Sequence, residues 1–171
     1  MARKPSKSGL RSSPRIACYG TAFLGGASVE LTAFEQSIDP GVPQFSSPRL
    51  DASFIMNCAR LLTGPQTPEN HHTGLKRVTG TDFRRSKSTH FYECSAELCE
   101  LLATLTEQRA AEMALQWYGM HRPAAVKMPE VNGRTQRRSA ILNHLASLAR
   151  QAKAGRAILM LRVEYRSQLG V

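Results

Sequence analysis

Few side chains in this sequence have types and spacings that could act on another molecule. They are His71, His72, His90, Cys94, Cys99 and His121, together with two groups of arginine and lysine. A zinc site needs four ligands in a tetrahedron, usually supplied as two close pairs. Cys94 and Cys99 stand five apart across an expected helix start, and no second Cys/His pair has finger spacing. They read as core thiols and the histidines as surface imidazoles, so neither metal nor other cofactor is expected.

Nucleophilic catalysis needs a thiol or hydroxyl beside a base and an orienting acid. Cys94 precedes the helix that Ser95 should cap, a position where the helix dipole favours a thiolate, and His90 and Glu93 are near in sequence. On a strand, however, His90 and Cys94 project from one face ~13 Å apart. They cannot pair locally, and the chain reads as non-enzymatic. The run Gly20-Thr-Ala-Phe-Leu-Gly-Gly26 precedes an expected helix, as a phosphate loop would. It lacks the Lys-Ser/Thr ending of such a loop and the three-glycine spacing of a dinucleotide site, so it reads as a strand-to-helix turn.

The cations carry the more useful signal. Arg84, Arg85 and Lys87 lie in the most polar interior stretch, Lys76 to Ser88. Arg134, Arg137 and Arg138 share one face within a turn, at the start of a long expected helix. A helix N-terminus flanked by cations attracts phosphate. These six are the candidate binding residues, for phosphate or an acidic partner. The net charge of +10 is uneven: +5 over residues 1–15, −3 over 16–121 and +8 over 122–171. Basic ends of this kind suit nucleic acid, an acidic protein or an anionic surface. Aromatic residues are only 6% of the chain, and no helix-turn-helix, finger or RNA-stacking motif is present. Tyr92, Tyr118 and Met120 are the candidates for exposed contacts beside the cations.

The elements that must position these residues follow from periodicity. Ile16 to Phe23 alternates as a strand that Gly25-Gly26 ends, and Ser28 can cap a short helix through about Ser37. Asp39 to Pro48, with three prolines, reads as a loop. Asp51 should cap a helix whose buried stripe is Phe54, Ile55, Cys58, Leu61 and Leu62, stopped by Gly64-Pro65. A polar loop, a short strand over Thr89–Cys94, and helices capped by Ser95 and Thr106 come next. A helix starting near Asn132 or Thr135 carries Ile141, Leu142, Leu145, Leu148, Ala149 and Ala152 at helical spacing. Gly155 suits a left-handed cap, and an apolar strand over Ala157–Tyr165 finishes the pattern.

The result is a single α+β domain over 15–171, with a small sheet that includes the 15–24 and 156–166 strands. About five helices should pack mainly on one face. A chain of 171 residues fits one domain, and buries roughly 70% of its extended surface without staples. Residues 1–14 are Ser, Pro and cation with one large aliphatic, Leu10, and read as a disordered basic tail. The stretch before Glu30 loosely mimics a targeting segment, but Tyr19, Gly20, Thr21 and Gly25-Gly26 make a poor apolar core. The longest apolar run, Ala157 to Leu161, is far below the ~20 residues of a membrane helix. Four scattered cysteines read as reduced thiols of a cytoplasmic protein.

Leu50-Asp-Ala-Ser-Phe54, then Leu61-Leu-Thr-Gly64, and the helix-then-strand finish resemble the YfbM-like family of uncharacterised small bacterial α+β proteins. That resemblance implies a bacterial cytosolic protein, of a kind sometimes encoded near secreted toxins and suspected of immunity roles. It implies no catalytic residue. The functional expectation is therefore a non-enzymatic binding protein, specifically an immunity-type protein that blocks an acidic-surfaced toxin by occlusion. The alternative is a nucleic-acid-binding accessory protein using the six cations on phosphates.

Overall fold

A computed structural model describes residues 15–25, 38, 40–64, 74–84, 87–120 and 133–168. The elements run β1 (Arg15–Gly25), β2 (Gln44–Pro48), α1 (Ala52–Thr63), β3 (Leu75–Arg84), β4 (Lys87–Cys94), α2 (Ala96–Ala103), α3 (Glu107–Met120), α4 (Gly133–Gly155) and β5 (Ile158–Gln168). The five strands form one antiparallel sheet in the order β2-β1-β5-β4-β3. The protein is α+β, as expected, with both terminal strands in the sheet.

Strand alternation sends one set of side chains toward the helices. Ala22 of β1, Cys94 of β4, and Leu159, Leu161 and Val163 of β5 join the helical stripes in the main core. Leu98 and Leu102 of α2, Met113 and Trp117 of α3, and Leu142, Leu145 and Leu148 of α4 meet them there. The opposite set forms a second, smaller cluster of Phe23, Phe91 and Met160, with Ile38, Val42, Val78 and Ile158 packed against it. That cluster occupies only one half of the outer face. Toward the other end the outward positions become Tyr19, Thr21, Arg162 and Glu164.

Local signals explain most element starts. Asp51 Oδ1 accepts from Phe54 N at 2.7 Å and caps α1. Ser95 Oγ accepts from Leu98 N at 3.2 Å and caps α2. Thr106 Oγ1 accepts from Arg109 N at 3.2 Å at the start of α3. Arg150 then ties α4 to the turn between α2 and α3, donating from Nη1 to the carbonyls of Ala103 (3.2 Å) and Leu105 (3.1 Å).

Four expectations need correction. The proline-rich loop before Pro48 contains β2, an edge strand, where proline is tolerated because one side of the ladder is open. The polar stretch from Lys76 contains β3, also an edge strand, with register irregularities at Arg77/Thr79 and Thr81/Arg84. Edge strands carry charge and bulges rather than apolar alternation. The described residues hold four helices rather than about five, and the helix expected near Ser28 lies outside them, as does the tail 1–14. Finally, Gly155 stays within α4 and Arg156 takes the left-handed turn, at φ 52. The cap itself forms as a Schellman motif, with Ala157 N donating to Ala152 O at 2.9 Å.

Gly20 has a different role. A Cβ there would lie 1.8 Å from the carbonyl oxygen of Leu50, so the chain before α1 rests directly on the β1 backbone. Gly20→Ala should lower stability by at least about 2 kcal/mol through that overlap. Gly155→Ala, with nothing within 4 Å, should raise it by ~0.5 kcal/mol through helix propensity. Urea unfolding midpoints of the two variants check this, and a Gly20→Ala protein as stable as the parent would refute the close contact.

Candidate functional site

Sheet register brings several cations to one end of the molecule. Lys87 of β4 pairs with Arg166 of β5, Arg84 of β3 pairs with Lys87, and Arg15 of β1 pairs with Gln168. Arg49 is exposed at the same end, its N donating to Cys18 O at 3.2 Å.

The start of α4 reaches this end through a chain of contacts. The Arg138 guanidinium lies 5.3 Å from the centre of the Trp117 ring. Trp117 packs on Phe54 with centroids 4.5 Å apart, in the turn capped by Asp51. Asp51 Oδ2 accepts from Cys18 Sγ at 3.6 Å, and Cys18 pairs with Tyr165 of β5. Arg134 and Arg137, within a turn of Arg138, are exposed. Arg84 and Lys87 are placed at this end by strand position, and Arg134, Arg137 and Arg138 stand together at the start of α4 in the helix layer. Arg85 lies outside the described residues.

Among the described residues, the acids Asp51 and Glu164 near this end are engaged within the protein. Asp51 is the α1 cap. Glu164 accepts from Arg162 at 2.7 Å and from Arg166 at 3.4 Å, so one carboxylate is shared by two guanidiniums. The opposite end is more nearly neutral, with Glu93, Glu97, Glu100, Glu107 and Glu112 offset by Arg109, Arg150, Lys153 and neighbouring cations.

Beneath the basic end, on the helix side of the sheet, lies a line of hydroxyls, a thiol and an imidazole. His90 Nδ1 and the Tyr92 hydroxyl are 3.3 Å apart. The Tyr165 ring meets His90 edge-on at 5.3 Å and hydrogen-bonds Tyr92. Burial, with Tyr92 and Asp51 adding, pushes the Tyr165 phenol well above the usual tyrosine range. Ser88, the cross-strand neighbour of Tyr165, is buried.

The expected thiolate-favouring position of Cys94 is overturned. The thiol is buried in the core, and burial, helped by Cys99 and Glu93, pushes it up to about 12. A helix dipole near its N-terminus does not offset that loss of water. Burial raises Cys18, Cys58 and Cys99 as well. His90 meets Tyr92 and Tyr165 rather than Cys94. His71, His72 and His121 lie outside the described residues, among which no group of three His, Cys, Asp or Glu is placed to hold a metal.

One expectation about exposed contacts changes. Tyr92 is half-buried on the helix side of the sheet, and the side chains of Tyr118 and Met120 are outside those described. The exposed large hydrophobic side chain among the described residues is Tyr19, at 48% on the outer face. Alternation within β1 already put Tyr19 opposite to Cys18 and Ala22; knowing that this face is open required the partner strands. No helix of the described residues is long and apolar enough to cross a membrane. Comparison with known protein families, characterised proteins and solved structures gives no match.

The raised groups set a pH dependence. Cys94 and Tyr165 keep their protons in the fold at pH values where an unfolded chain releases them, near ~8.5 and ~10. Their contribution is complete below those values and is lost as pH rises toward the folded-state values, about 12 for Cys94. Urea midpoints should therefore fall from pH 9 upward, and Tyr165→Phe should flatten the part of the fall above pH 10. A midpoint that rises over that range would contradict the assignment.

Proposed function

We propose that the protein is a non-enzymatic, nucleic-acid-binding protein that engages phosphates with its basic end. The observation that carries this reading is the strand register that sets Arg84, Lys87 and Arg166 together at one end of the sheet, where exposed Arg49 also lies. Of the described acids there, Asp51 serves as a helix cap and Glu164 is shared by two arginines. Lysine and arginine that neutralise phosphates release condensed counterions, which supplies sequence-independent affinity. Protonated thiols, raised by burial, are poor nucleophiles, in keeping with binding rather than catalysis.

An acidic protein is the alternative occupant of the same end. Its narrowest form, an immunity-type protein that occludes a toxin, draws support from the likeness of Leu50–Phe54 and Leu61–Gly64 to a family with suspected immunity roles. Phosphate is favoured here because the cations are spread over both the sheet layer and the helix layer, in a form that suits a long, evenly charged polyanion.

Fluorescence anisotropy with labelled DNA and RNA across a salt series tests the proposal. Affinity should fall steeply with salt, and Arg134→Ala/Arg137→Ala should lower the slope of log K against log salt by ~2 for duplex DNA. Both residues are exposed, and a thermal melt verifies that the double variant is folded. Absence of salt-dependent binding to either polymer at physiological ionic strength would overturn the reading and leave the acidic protein as occupant.

A further inference from the structure

We infer that the open half of the outer sheet face is a platform for single-stranded nucleic acid, with one base stacked on Tyr19. This rests on the nucleic-acid reading above and adds to it the strandedness of the ligand and the residue that selects it.

The outer face has two halves of different character. One is closed over Phe23, Phe91 and Met160, none more than 8% exposed. The other leaves Ala17, Tyr19 and Arg166 exposed beside a largely buried Arg162–Glu164 pair, and Tyr19 sits on β1, an interior strand of the sheet. An aromatic ring left half in water on an interior strand, when the same strand buries Phe23 four residues on, offers a flat surface for stacking.

Its surroundings suit a polyanion. Glu164 is directly across from Tyr19 and would repel phosphate if unmatched. Its carboxylate instead accepts from Arg162 and Arg166, which flank it on the same face. Arg162 is held further by lying 6.0 Å from the centre of the Phe91 ring, and its Nε has no acceptor among the described residues. Thr21 Oγ1 and Ser46 Oγ, 2.8 Å apart, supply neutral hydroxyls on the β2 side. Arg166 then continues the face to the basic end, through its register partner Lys87.

Strandedness follows from stacking. A base reaches an aromatic ring only when it is unstacked from its neighbours, which a duplex does not permit without flipping. Sheet faces that present an aromatic beside cations bind single strands through base stacking and backbone charge, with little sequence preference.

The test uses the full chain, a short labelled oligodeoxythymidylate and a duplex of equal length. Tyr19→Ala should weaken binding of the single strand about 5- to 150-fold and leave the duplex unchanged. Tyr19→Phe should keep single-strand affinity, whereas Tyr19→Leu, apolar but without a π face, should lose it as alanine does. Exposure of Tyr19 makes all three variants compatible with the fold, which a thermal melt verifies. If Tyr19→Ala and Tyr19→Leu bind the strand as the parent does, while Arg134→Ala/Arg137→Ala weakens it, the platform is refuted and the basic-end reading stands. If the parent binds neither probe, the basic-end reading fails first and the platform with it.

Discussion

The pairing of β1 with β5 is the constraint on which the rest of the structure depends. It runs unbroken from Arg15↔Gln168 to Gly25↔Ile158, and it joins the two ends of the described chain at the centre of the sheet. Because side chains alternate, this one register decides which residues face the helices and which face away. Slipping it by one residue would turn Leu159, Leu161 and Val163 outward and bring Arg162 and Glu164 under α4. The helical stripes then have no apolar floor. The strength of the main core is what holds the register, and the register in turn creates the polar outer half.

The same register sorts charge along the strands. Lys87, Arg84, Arg15 and Arg166 come to one end because β3, β4, β1 and β5 are antiparallel with matched lengths. The start of α4 joins them through Arg138, Trp117, Phe54 and Asp51, a line of contacts that is mostly apolar. At the other end the described ion pairs, Arg109 with Glu112 at 3.1 Å and Lys153 with Glu100 at 3.8 Å, are exposed and contribute little to stability. Polarity of charge along the sheet is a product of topology, not of a contiguous basic sequence.

Much of the fold was legible in the residues, and the part that was not has a physical explanation. Caps at Asp51, Ser95 and Thr106 act over three residues, so sequence shows them directly. The stripe from Ile141 to Ala152 and the alternation of Leu159, Leu161 and Val163 are equally local. β2 and β3 were hidden because edge strands are shaped by what they must not attract, with proline, charge and bulges in place of apolar alternation. Arg156, rather than Gly155, takes the left-handed turn because the cap is decided by where α4 must leave for β5. At the candidate site, the cluster of Arg134, Arg137 and Arg138 was visible as helical spacing. The grouping of Arg84, Lys87 and Arg166 depends on sheet register between distant segments. Cys94 misled because proximity to a helix start is local information, whereas its burial under the helices is not. Tyr19 went unremarked because exposure is a property of what fails to cover a residue.

β5 is the last of the described elements along the chain and the middle strand of the sheet. During synthesis, β1 with β2 and β4 with β3 emerge as two separate ribbons, each with an unfilled margin of backbone donors and acceptors. Neither can complete its ladder until residues 158–168 leave the ribosome and slide between them. The protein's central seam is therefore its final one to close, and the interval before closure is when a growing chain is most open to pairing with a neighbour on the same messenger.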